Sequence, residues 1–164
     1  MFGRKEKKVR VLFVEEKNDL ISQLAEYFTK EYFGGRYEVY SAGPKKDIVD
    51  CELISVMYQT GNDMRRQVSK DFKDRDYLRD DEDYDIVVFF GKSIFDEWAK
   101  RTPWQGKQMF FELEGTESFR ATDDLELSIC YSELIDRVSA WVKENMSDPE
   151  RLRSMIAHDP HNNS

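Results

Sequence analysis

The chain has 164 residues, with 33 acidic against 25 basic side chains and a formal net charge of −8. That length fits one domain with a substantial core, and the negative balance excludes general nucleic-acid binding. No run approaches the roughly 20 apolar residues of a membrane span. Residues 1–8 are a basic arm without the apolar stretch of a signal peptide. The two cysteines, Cys51 and Cys130, are far apart and in no metal-ligand spacing. A cytoplasmic protein with free thiols, and with no cofactor, metal or membrane partner, is expected.

Val9 to Val14 is a near-continuous apolar and β-branched run, the pattern of a central parallel strand. A helix follows, with Leu20, Leu24, Tyr27, Phe28 and Tyr32 at helical spacing. Asn18 or Asp19 is placed to cap it, and Gly34-Gly35 ends it. Residues 36–41 form a second strand and Ala42-Gly43-Pro44 a turn. Residues 47–60 predict a second helix with Ile48, Cys51, Ile54, Val56, Met57 and Tyr58 on its apolar side. Residues 63–83 are charged and weakly periodic, with room for one short helix; the acidic run Asp80 to Asp83 reads as a solvated loop. Asp85 to Phe90 is the clearest strand, followed by a short helix over 93–100 that Thr102-Pro103 breaks, and by a fourth strand over 107–113. A long helix is expected from Asp123 to about Asn145, with Glu126 set for a capping box and Leu125, Ile129, Leu134, Ile135, Val138, Trp141 and Val142 on its stripe. Residues 1–146 are expected to form the domain. Residues 147–164 would be a partly disordered extension, with a helical turn or two in 147–157 and a frayed end carrying His158 and His161. Strands alternating with helices imply a parallel sheet covered on both faces. Trp104, in a loop, is the aromatic residue expected at the surface.

The stretch Val11-Leu12-Phe13-Val14-Glu15-Glu16-Lys17-Asn18-Asp19-Leu20-Ile21-Ser22, continued by Ala25-Glu26, resembles the active-site segment of low-molecular-weight protein tyrosine phosphatases and thioredoxin-coupled arsenate reductases. Those families carry V-L-F-V-C-x-G-N-x-C-R-S-x-x-A-E. Val11 to Val14, Asn18, Ser22, Ala25 and Glu26 match it. Tyr37 to Gly43 is similar to the family's second strand and S-A-G turn, and Tyr84 to Val88 to its third strand. The resemblance spans roughly residues 8–145. It implies a three-layer α/β/α fold with a four-stranded parallel sheet in the order 2-1-3-4.

The reacting residues are another matter. Where the family has its nucleophilic cysteine this chain has Glu15, where it has the loop glycine Lys17, and where it has the phosphate-binding arginine Ile21. The general-acid aspartate aligns with Glu114, or with Glu112 in a shifted register. The family's chemistry needs a thiolate among backbone N–H groups and an arginine fork on the phosphate. A dianion here would instead meet Glu15, Glu16 and Asp19, each like-charge contact costing about 4 kcal/mol at an effective dielectric of about 20. No catalytic residue of the family type is therefore expected among Glu15, Lys17, Asn18, Asp19, Ile21 and Ser22.

Three arrangements of the loop are open: solvated acids with Asp19 capping the helix; a carboxylate folded into the old anion cradle; or Glu15, Asp19 and Glu114 converging on a cation or amine. The function expected is that of an inactive phosphatase-like or arsenate reductase-like binding or regulatory module. Its partner would be an unidentified protein or a second copy of the chain. The alternative is a divergent hydrolase using Glu15 and Glu114.

Overall fold

The computed structural model describes residues 7–159. The expected basic arm therefore lies largely outside the described residues, as do His161 and the end of the tail.

Four strands form one parallel sheet: β1 (Val9–Val14), β2 (Tyr37–Ala42), β3 (Ile86–Phe90) and β4 (Gln108–Phe111), in the order β2-β1-β3-β4. The central strands are buried on both faces, as their unbroken apolar runs require. On one face Val11, Phe13, Ile86 and Val88 pack with α1 (Ile21–Phe33), α2 (Cys51–Gln59), α4 (Asp124–Met146) and α5 (Pro149–Ala157). On the other, Leu12, Val14, Val87 and Phe89 meet Ile94 and Phe95 of α3 (Lys92–Trp98) and a set of loop aromatics. The extension adds to the core directly, because Leu152 and Ile156 of α5 are buried in it.

Several expectations need correction. The second helix starts four residues late. Asp50 caps it, accepting from the amides of Glu52 and Leu53 at 3.0 and 3.2 Å, and Ile48 is left outside and exposed. Residues 63–83 hold no α-helix. Their acidic run is the solvated loop expected, and its side chains also form ion pairs: Asp81 with Arg79 at 2.7 Å, Glu82 with Arg75 at 2.8 Å and Asp83 with Arg10 at 3.2 Å. On α4, Asp123 caps as expected, but the Glu126 carboxylate reaches Thr122 and not Asp123, and Leu125 and Ile129 project beyond the core into solvent.

Trp104 is the largest departure. It is buried, with Phe72 and Tyr84 edge-on at 5.5 and 5.8 Å. Its indole N–H donates to the Glu82 carbonyl at 2.9 Å. That bond removes the penalty for sinking the ring into the core.

Val87 sits on the central strand with no exposed surface. Val87→Ala should cost about 2 kcal/mol in urea unfolding, whereas Leu125→Ala should stay within about 0.5 kcal/mol. Equal effects would contradict this assignment of the core.

Candidate functional site

The carboxyl end of β1 runs into residues 15–20, and α1 starts at Ile21. The first amides of a helix have no partner within it and point at whatever lies ahead. Here that is Glu15. Its Oε1 accepts from the Leu20 amide at 3.0 Å, the Ser22 amide at 3.1 Å and the Ser22 hydroxyl at 2.9 Å; its Oε2 accepts from the Ile21 amide at 3.1 Å. One carboxylate thus takes four hydrogen bonds at the positive end of a helix. The second of the three loop arrangements is the one formed. Neither Asn18 nor Asp19 caps α1; the cap comes from five residues before Leu20.

Asn18 holds the loop in this shape. It is fully buried and adopts φ 50, a left-handed conformation that asparagine tolerates better than most residues. Its Nδ2 donates to the Ser22 hydroxyl at 2.9 Å, which leaves that hydroxyl to donate to Glu15. Its Oδ1 accepts from Gln23 Nε2 and from the Lys70 amide, both at 2.9 Å. The 67–70 segment straps the loop further: Gln67 Nε2 donates to Gln23 Oε1 at 2.8 Å, and the Ser69 hydroxyl to the Lys17 carbonyl at 2.6 Å. Lys17 itself is exposed, 3.9 Å from Asp47. The left-handed step thus falls at Asn18 and not at the position of the family's loop glycine. Gly43 closes the floor, since a Cβ there would lie 2.1 Å from the Glu15 carbonyl oxygen and 2.8 Å from that of Glu16.

Ile21 is 5% exposed and belongs to the core. Asp19 is half-buried. Burial and then the Glu15 carboxylate, with smaller effects from Asp50 and Asp47, push its carboxyl up to about 6. The loop opens on a cavity of about 300 Å³ lined by Glu15, Glu16, Lys17, Asp19, Phe90, Gly91, Ser93 and Ile94.

Glu114 does not join it. It is exposed and lines a separate cavity with Phe119, Cys130 and Arg137, while its carbonyl accepts from Arg137 at 3.2 Å. Glu112 accepts from the Lys92 amide at the start of α3. Among the described residues no three His, Cys, Asp or Glu side chains are grouped to hold a metal ion, and no helix is long and apolar enough to cross a membrane. Sequence reasoning missed the supporting side chains Gln23, Gln67, Ser69 and Lys70. Their only sequence signal is polarity at positions that turn out buried or half-buried.

A strand, a loop and a helix N-terminus whose amides converge on one carboxylate define a three-layer α/β protein with an anion cradle. No protein-family model matches the chain. Among known proteins, the glutaredoxin arsenate reductase of Synechocystis sp. is 27% identical over 119 residues, covering 65% of this chain and 88% of that one. Among solved structures, a low-molecular-weight protein tyrosine phosphatase from T. tengcongensis superposes with a TM-score of 0.63 at 21% identity, over 85% of this chain and 98% of that one. An arsenate reductase in its phosphate-binding state gives 0.57 at 24% identity, over 83% and 98%. This chain has the fold of the low-molecular-weight tyrosine phosphatases and arsenate reductases, and its sequence is similar to the same group.

Two outcomes follow for the loop. Glu15→Ala leaves the first amides of α1 to water and should lower stability by about 2 kcal/mol, as for loss of a charged cap, seen as a shift in the urea midpoint at unchanged slope. Asp19 behaves in the opposite sense. Its carboxyl ordinarily titrates near 3.8 and here near 6, so the folded state keeps a proton that the unfolded state releases. Its contribution to stability is fullest below pH 4 and is lost as pH rises through 6. Asp19→Asn should therefore stabilise the protein at pH 7 by about 1 kcal/mol, a figure reduced for solvent screening of a half-exposed group. At pH 4 it should change little. A variant equally stabilised at both values would contradict the assignment.

Proposed function

We propose that this protein is a non-catalytic relative of the phosphatase and arsenate reductase group, acting as a binding or regulatory module whose anion cradle carries its own permanent occupant. One observation carries the reading: the Glu15 carboxylate saturates the donors of Leu20, Ile21 and Ser22 that an oxyanion would use. The remaining residues support it. The guanidinium that would clamp two phosphate oxygens is replaced by a core isoleucine, and Cys51 and Cys130 stand on α2 and α4, neither of them lining the cavity at the loop. An incoming phosphate or arsenate dianion would have to displace a carboxylate from four hydrogen bonds and then face Glu16 and Asp19. The partner is a protein or a second copy of this chain, and the free thiols favour a cytoplasmic setting.

A second reading rests on Asp19. A carboxyl titrating near 6 beside a cavity has the property of a general acid, which suits hydrolysis or the capture of an amine. It lacks the second carboxylate expected at Glu114, which faces another cavity.

Steady-state assays separate the two. Aryl phosphate hydrolysis and thiol-coupled arsenate reduction should both stay at the level of a control protein. Turnover above that level that falls in Glu15→Gln or Asp19→Asn would overturn the non-catalytic reading.

A further inference from the structure

A second concentration of charge lies across the 67–70 strap from the loop. Lys70 is only 4% exposed, yet its ammonium finds one acceptor at hydrogen-bond distance, the Val68 carbonyl at 2.7 Å. The Glu26 carboxylate, itself buried, stands 3.9 Å off, engaged by the Ser41 hydroxyl at 3.3 Å and shared with Lys30 at 4.0 Å. An ammonium carries three donors. Among the described residues, two of the three on Lys70 have no acceptor at hydrogen-bond distance, the Glu26 carboxylate at 3.9 Å being an ion-pair contact only. Burial accordingly pulls the amine below its ordinary value, against the raising effect of Glu26.

Lys70 lines a cavity of about 210 Å³, together with Glu26, Lys30, Tyr40, Arg66 and Tyr77. That is the volume of several waters. Three cations face one carboxylate there, on a chain whose net charge is −8. Arg66 is exposed and forms no hydrogen bond among the described residues, so its planar fork is available to a ligand.

We propose that this cavity is an oxyanion site, taking a tetrahedral anion that is free or at the end of a small phosphate monoester. Lys70 is the buried anchor, Lys30 supplies a second charge, and Arg66 closes over the ligand as a bidentate clamp. The anion supplies the acceptors that the Lys70 ammonium lacks, and the excess of positive charge disfavours a cation. The site is separate from the cradle that Glu15 fills, and it does not depend on the functional reading of that cradle. It is nevertheless mechanically joined to the loop, because the Lys70 amide donates to Asn18 Oδ1 and the Val68 carbonyl accepts from Gln23 at 3.0 Å.

The test is an NMR titration of the full chain with inorganic phosphate, sulfate and glycerol phosphate, against chloride at matched ionic strength. The backbone amides of 66–70 and the Lys70 side-chain carbons are followed. Saturable shifts at these positions are expected for the oxyanions and not for chloride. Affinity should drop at least tenfold in Lys70→Met, which keeps the buried stem, and severalfold in Arg66→Ala, an exposed change that leaves the fold intact. Glycerol phosphate binding tighter than phosphate assigns the site to monoesters; the reverse assigns it to the free ion. Silence at 66–70 overturns this inference alone. Shifts at Leu20 to Ser22 with 66–70 silent overturn it together with the functional reading, because the anion would then occupy the cradle. Shifts that survive both variants unchanged also overturn it.

Discussion

A helix that begins at the end of a buried strand leaves several amide N–H groups pointing at one spot, and in this protein the Glu15 carboxylate occupies that spot. The rest of the loop is arranged around this contact. Glu15, the first residue after the strand, has to reach forward to amides five to seven positions on, so the intervening chain must double back within a few residues. Asn18 makes the left-handed step, Gly43 lets the neighbouring turn approach without a side chain, and Ser22 orients its hydroxyl toward the carboxylate because Asn18 donates to it. The strap at 67–70 then fixes Asn18 and Gln23 from behind.

The same contact has an electrostatic cost. Placing an anion at the helix start is favourable for the helix dipole, but it puts a charge beside Asp19, with Asp47 and Asp50 near by. Asp19 absorbs the conflict by holding its proton to about pH 6. In an oxyanion-binding loop a deeply set arginine would offset such charge. Here Ile21 turns into the hydrophobic cluster with Leu24 and Phe28, and stability takes precedence over charge balance. The result is an acidic mouth over a cradle that the chain's own carboxylate fills.

Much of the fold was legible because its signals are local. Two apolar runs, at Val9–Val14 and Ile86–Phe90, carry the pattern of strands buried on both sides, and their alternation with helical stripes implies a parallel sheet; the order in which the strands lie came from the family resemblance. The resemblance of the 11–26 segment located the loop and the replaced residues. Its arrangement was not legible. An aspartate next to a helix start looks like its cap, whereas the actual cap lies further back and depends on a loop shape that only Asn18, Gly43 and the strap together produce. Trp104 looked exposed because it follows Thr102-Pro103, but one carbonyl from Glu82 satisfies its N–H and lets the ring join the core. Glu114 was placed by register alone, and register does not determine which cavity a side chain enters.

The central claim is that the cradle is filled from within. Titrating wild type and Glu15→Ala with orthovanadate, while following the amide resonances of Leu20, Ile21 and Ser22, tests it directly. With the carboxylate in place these three amides should not respond; once it is removed they should show weak, saturable shifts as the freed donors accept the anion. Saturable shifts at the same amides in the wild type, with the 66–70 amides silent, would contradict the account, because the carboxylate would then be a displaceable guest in a working oxyanion site.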